Sequence, residues 1–300
     1  MTTTKDYLHL HFIVVVWGFT AILGLLVSIP AVEMVFYRTL IAFLALGILL
    51  NFRGVSFHIG PVDLIKIILT GILMGAHWIF FFASARVSTA SVSLVGFATL
   101  AFWTSLLEPW IIKRKIRWFE VLLGLLVLVG LYIIFSFDFA YSWGLVLAII
   151  SAVLASLFTV INSTFIKKHH PLLIMFYEMI GACLGIVIFF PIYLNYFSQY
   201  ATLQLHLLPL DWFYIGILSL ICTVYAYTAS IYLMKKISPF AINLTVNLEP
   251  VYGIILAVMI FGEKEKMTTA FYLGTVFILA SVFIYPVLTR YLAGKNLKQI

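Results

Sequence analysis

From Ser238 to Phe261 the chain reads SPFAINLTVNLEPVYGIILAVMIF, apolar enough to cross a bilayer yet carrying Asn243, Asn247, Glu249 and Pro250 around its middle. Hydrocarbon about 30 Å thick takes roughly 20 helical residues to span, so Glu249 falls near the midplane. An ionisable side chain at that depth is expensive and has to face protein or water. Pro250 has no N–H and crowds the turn before it, which deprives the Val246 carbonyl of its partner. Broken backbone survives in lipid only where protein or a wet cavity satisfies it. This stretch is expected to be a broken helix that forms one wall of a pathway through the membrane.

The rest of the chain obeys the same constraint. Of its 300 residues 64% are hydrophobic and 10% charged, against about 25% charged in a soluble domain. The class this implies is an all-α integral membrane protein. A net charge of +7 does not point to nucleic acid, because the basic residues sit in short connections between apolar runs, where they control topology. The two cysteines, Cys183 and Cys222, lie inside apolar segments and offer neither a disulfide framework nor a metal site. The apolar run from Leu8 lacks a small-residue cleavage site after it and reads as a retained first span.

Ten apolar runs of spanning length can be drawn, at 8–27, 33–50, 64–85, 89–112, 118–135, 143–165, 172–194, 211–234, 238–261 and 268–289. With the N-terminus cytoplasmic, fourteen Lys and Arg fall inside and three, Arg86, Lys264 and Lys266, fall outside; Arg38 lies within a span. That bias predicts cytoplasmic N- and C-termini in a multi-pass protein of the cytoplasmic (inner) membrane. The two halves look like copies. Residues 35–48 lie over 175–188 at an offset of 140, with Phe36/Phe176 and Tyr37/Tyr177 coinciding, and from the third span onward the offset is 150, with Ser88/Ser238 and Gly124/Gly274 coinciding. Five spans per copy is an odd number, so ten helices in two inverted five-helix repeats are expected, at 1–138 and 139–300. Inverted repeats of this kind hold their sites at the repeat interface near the midplane.

Certain residues carry a family resemblance: Trp17-Gly18, Arg38, Leu248-Glu249-Pro250-Val251, Phe261-Gly262-Glu263 and Leu273-Gly274. With these the chain resembles the drug/metabolite transporter superfamily, in particular its ten-span EamA-type branch, over essentially its whole length. It departs after the fourth span, where Lys113-Arg114-Lys115 stands in place of Gly-Glu. The resemblance implies export or exchange of a small metabolite, often an amino acid, by alternating access.

Pathway candidates are Trp17, His77, Thr99, Trp103, Tyr225, Thr228, Asn243, Asn247 and Glu249, with Pro250 as the helix break. Trp17 has an indole N–H that needs an acceptor; it either lines the pathway or packs beside Thr20, Ala21 and Gly24. His77 is the deepest histidine and changes charge near neutral pH, and its repeat counterpart, Tyr227, is also polar. Gly71 and Gly75 form a small-xxx-small pair suited to close helix packing. Thr99 and Trp103 share a face, and Thr99 stands at the repeat position of Glu249. Tyr225, Thr228 and Tyr232 form a stripe that reads as core or as pocket. On the ninth span Thr245, Glu249 and Tyr252 fall on one side and Asn243, Asn247 and Pro250 on another, so both sides cannot line one narrow pore. Glu249 is either a proton-coupling carboxyl or a hydrogen-bonded group that holds the break. Glu108 reads as an interfacial charge near Lys113. Arg38 and Glu178, related by the 140 offset, are expected to find local partners or to snorkel toward headgroups.

No enzyme motif, cofactor loop or metal spacing occurs. The expected partners are a small-molecule substrate, membrane lipid and, through Glu249 and His77, protons. A channel-like facilitator, a nucleotide-sugar carrier and an intramembrane enzyme are the alternatives, and a phosphate substrate is disfavoured because Arg38 is the sole cation well inside a span. Inverted repeats require both chain ends on one face. Single cysteines at Thr2 and Gln299, in a chain with Cys183 and Cys222 replaced by serine, should both resist an impermeant thiol reagent in intact cells. Labelling of one end but not the other would remove the inverted arrangement.

Overall fold

The computed structural model describes residues 2–135, 141–265 and 268–296, and among these no strand occurs. The helices in chain order are α1 (Thr4–Gly18 and Thr20–Leu26, interrupted at Phe19), α2 (Ala31–Phe52), α3 (Pro61–Val87), α4 (Ala90–Phe97 and Leu100–Ile112), α5 (Trp118–Phe135) and α6 (Ser142–Phe165). They continue with α7 (Pro171–Tyr196), α8 (Pro209–Gly216, Ile217–Tyr225 and Ala226–Leu233), α9 (Pro239–Val246 and Glu249–Phe261) and α10 (Thr269–Asn296). Eight of these, all but α5 and α10, are long and apolar enough to cross a membrane; α5 and α10 carry shorter apolar stretches, Trp118–Gly130 and Tyr272–Tyr285. The 138/139 repeat junction and two residues of the charge pattern, Lys266 and Lys298, lie outside the described residues.

Local chemistry sets the helix starts. Proline stands at the first position of α3, α7, α8 and α9 (Pro61, Pro171, Pro209 and Pro239), where its missing N–H costs nothing and its φ is already helical. The Ser238 and Thr89 hydroxyls accept the Ala241 and Val92 N–H groups and cap α9 and α4.

Helix-to-helix contact relies on glycine, as expected where lipid is as apolar as the core and close approach supplies the attraction. A Cβ on Gly71 of α3 would stand 2.1 Å from the Glu178 carbonyl oxygen of α7, and one on Gly181 of α7 would stand 2.1 Å from the Ile68 carbonyl oxygen. Gly75 meets Ala182 in the same seam. Gly130 of α5 approaches the Gly274 carbonyl of α10, tying those two peripheral helices to each other. Outward-facing Phe12, Ile48, Leu122 and Ile188 suit acyl chains, while exposed Trp110 and Trp118 lie near one end of the bundle and Trp143, Tyr196 and Trp212 near the other. Aromatic belts at two interfaces have this form.

Glycine-to-alanine changes at Gly71 and Gly181 should each lower stability by about 1–3 kcal/mol, seen as a drop in thermal unfolding in detergent. Gly216→Ala, where nothing lies within 4 Å of the added carbon, should be neutral or slightly stabilising.

Candidate functional site

Three helices lose their regular pattern at mid-depth. α1 breaks at Phe19, α4 at Ala98–Thr99 and α9 at Asn247–Leu248. At the α9 break the Asn247 and Leu248 N–H groups turn back three residues to the Leu244 and Thr245 carbonyls, and Pro250 enters as the second residue of the new segment. The α4 break contains no proline, yet its Ala98 and Thr99 stand 150 positions before Leu248 and Glu249. The breaks converge: Gly18 of α1 lies against Tyr252 and the Glu249 carbonyl, and a Cβ on Gly253 would stand 2.3 Å from Leu94 Cδ1 and 2.9 Å from the Gly18 carbonyl oxygen. A fourth irregularity is the π-helical stretch Ile217–Tyr225 in α8. Wide turns of this type widen the spacing of the carbonyls and are frequent at functional sites.

Beside these irregular turns lies a cavity of about 40 Å³, walled by α1, α2, α3, α4, α6, α8 and α9. Its aromatic wall is continuous. Trp17 and Tyr227 stand 4.8 Å apart by ring centroid, Tyr227 and Trp78 5.4 Å, and Phe158 and His77 5.5 Å. Each polar handle on this wall is held. Trp17 Nε1 donates to the Cys222 carbonyl at 3.0 Å, and Trp78 Nε1 donates to the Tyr227 hydroxyl at 3.1 Å. His77 Nδ1 lies 2.7 Å from Ser151 Oγ, and Asn243 Nδ2 donates to Thr104 Oγ1 at 2.8 Å.

Two opposite charges face this space. Glu249 is 3% exposed and lies beside the Thr20 hydroxyl, within the field of Arg38. Arg38 is 1% exposed; its guanidinium lies 4.1 Å above the Trp78 ring, and its Nε donates to Thr223 Oγ1 at 2.7 Å. Thr223 can accept because its own hydroxyl proton goes to the Leu218 carbonyl, five residues back along the π-helical stretch. Stacking on indole is worth up to about 2 kcal/mol when desolvated.

Trp17, His77, Asn243 and Glu249 therefore share one cavity. Asn243 and Glu249 do so against the expectation that their two sides of the ninth span could not line one pore; the helix is interrupted between them at 247–248. Arg38 does not snorkel: it joins the cavity with Thr20, Trp78 and Tyr227, none of which was among the pathway candidates. Glu178 does not snorkel either; it is fully buried beside the Asn162 side chain.

The other candidates lie outside the cavity lining. Thr99 returns its hydroxyl to the Gly96 carbonyl. Trp103 Nε1, Thr228 Oγ1 and both amide atoms of Asn247 are buried without partners among the described residues. Tyr225 is 40% exposed and its hydroxyl meets His9 Nε2 at 2.8 Å on the outer surface. Glu108, read as an interfacial charge, has partners within the protein. It is 2% exposed, pairs with Arg114 at 3.1 Å, and accepts the Phe240 N–H at 2.9 Å, which caps α9 from a neighbouring helix.

Removing one of two buried opposite charges strands the other, so Arg38→Met and Glu249→Gln should be coupled. In detergent unfolding the double variant is expected to lose less than the sum of the single losses, by roughly 0.5–3 kcal/mol. Strict additivity would show that the two side chains act independently.

The EamA-like transporter family matches the chain over residues 7–136 and 142–285. A solved crystal structure of another protein superposes with a TM-score of 0.71 at 16% identity, covering 97% of this chain and 99% of that one; it speaks for the fold. No curated protein matches at a significant level. With its many apolar helices and its cavity at the meeting of the broken ones, the chain belongs to the EamA-like transporter family and is a multi-pass membrane transporter of the drug/metabolite type.

Proposed function

We propose that the chain is a secondary transporter that exports or exchanges an amphipathic zwitterion of the amino-acid class across the cytoplasmic membrane. One observation carries this reading: Arg38 and Glu249 face a single cavity whose remaining wall is largely aromatic. The guanidinium donates only through Nε to a described residue, which leaves its terminal nitrogens for a ligand carboxylate in the bidentate form arginine favours. Glu249 suits the ammonium, and Trp17, Trp78, Tyr227 and Phe158 suit an apolar side chain. A single cation in the lining fits a phosphate-rich ligand poorly. A channel would need a continuous path, and the cavity lining stops at Thr20, Arg38 and Phe81.

In this reading ten helices cross the membrane as two inverted units, 1–138 and 139–300, with both termini cytoplasmic. Contact symmetry supports it. α2 packs on α7, α4 on α9 and α5 on α10, while α3 packs on α6 and α7 as α8 packs on α1 and α2. The cavity reaches Met234, just beyond the end of α8, the end that this reading places toward the cytoplasm. The far end is held by Asp211, which accepts the Ser28 N–H at 2.8 Å, and by Arg86, which donates to the Gly24 and Val27 carbonyls. Alternating access would part that end and close the other. Glu249 and His77 are the groups that would couple the cycle to protons.

Proteoliposomes loaded with labelled amino acids test the reading. Arg38→Gln and Glu249→Gln should each lower flux of the favoured substrate at least tenfold, the loss of one charge-assisted hydrogen bond, with thermal unfolding showing a folded chain. A pH gradient should accelerate the wild type and not Glu249→Gln. Equal flux from the wild type and both folded variants would sink the substrate assignment, and indifference of the wild type to the gradient would remove proton coupling.

A further inference from the structure

A second concavity, of about 390 Å³, lies away from the central cavity, where the start of α3 faces the ends of α4 and α6. Its rim is ionic, formed by Asp63, Lys66 and Lys168. Asp63 is already engaged, with Oδ2 2.8 Å from His169 Nε2 and 3.6 Å from Lys168 Nζ. Lys66 is exposed and its ammonium forms no ion pair among the described residues. The rim therefore carries surplus positive charge.

Deeper in, the lining turns apolar on all three helices: Leu69 and Leu73 on α3, Ile111 on α4 and Ile161 on α6. The two threonines there do not change this, because Thr70 and Thr164 return their hydroxyls to the Lys66 and Ile161 carbonyls of their own helices. From Lys66 to Leu73 the wall rises roughly 10 Å along α3, enough to pass from the headgroup layer into hydrocarbon. A soluble anion would leave the apolar floor empty, and a zwitterionic lipid would leave the rim charge unanswered. We propose that this groove binds one anionic phospholipid, its phosphate between Lys66 and Lys168 and an acyl chain along Leu69, Leu73, Ile111 and Ile161. Basic pockets between membrane helices hold acidic headgroups by this chemistry. The site is independent of the substrate assigned to the central cavity.

The test uses the purified full chain, stripped of lipid in a neutral detergent. Phosphatidylglycerol, phosphatidylcholine and glycerol 3-phosphate are added separately, with retained lipid read by native mass spectrometry and stability by thermal unfolding. Phosphatidylglycerol should be retained and should raise Tm, whereas the other two should do neither. The Lys66→Gln/Lys168→Gln double variant should weaken phosphatidylglycerol binding at least tenfold, and Lys167→Gln, an exposed neighbour outside the groove, should leave it unchanged. Leu73→Trp, which fills the floor and spares the rim, should weaken it too, and it supplies the readout if the double variant does not fold. Equal retention of the two lipids, an equal shift from glycerol 3-phosphate, or undiminished binding in the folded variants would overturn the assignment.

Discussion

Hydrocarbon offers no hydrogen bonds, so any main-chain group released from a helix at mid-depth has to be answered by protein or by enclosed water. Three helices of this chain are interrupted there, and their interruptions lie together instead of being scattered around the bundle. Gly18 and Gly253 make this possible, since neither position has room for a side chain. Each break leaves short segments whose directions can differ. That freedom lets Asn243 and Glu249, on either side of one break, look into the same space.

Charge placement follows from the same constraint. Arg38 is enclosed, with an indole beneath it and a hydroxyl beside it, so part of what water would provide is replaced by fixed groups. On the π-helical stretch Thr223 donates its hydroxyl proton to the Leu218 carbonyl five residues back and accepts from Arg38. The irregular segment and the buried cation are one arrangement. Glu178, the repeat counterpart of Arg38, lacks the ring and is closed off on α7 beside the Asn162 side chain.

Much of this was legible in the residues. Apolar run length is a local property, and every expected run falls on a helix. Glu249 beside Pro250 marked the break because both facts sit in one tripeptide. Side-chain direction was less legible. Periodicity identified the Tyr225–Thr228–Tyr232 face of α8, but a helix has several faces and spacing does not say which one turns inward. The inward face is Tyr227, Ser230, Ile231 and Met234. Arg38 was expected to find local partners or to snorkel, and it finds the former: Trp78 on α3 and Thr223 on α8 fix its direction, which its place in the sequence did not show. The α4 break has no proline to announce it; the 150-residue register to Leu248 and Glu249 was the available signal.

The glycine seam between α3 and α7 has a mechanical implication. Backbones that touch through Gly71 and Gly181 have no side-chain slack to absorb a slide. The ties at Ser28, Asp211 and Arg86 are hydrogen bonds near an aqueous face, each worth little net once water can replace it. Any large rearrangement will thus keep α3 and α7 together as a rigid keel and spend its travel in the segments hinged at Phe19, Ala98 and Asn247.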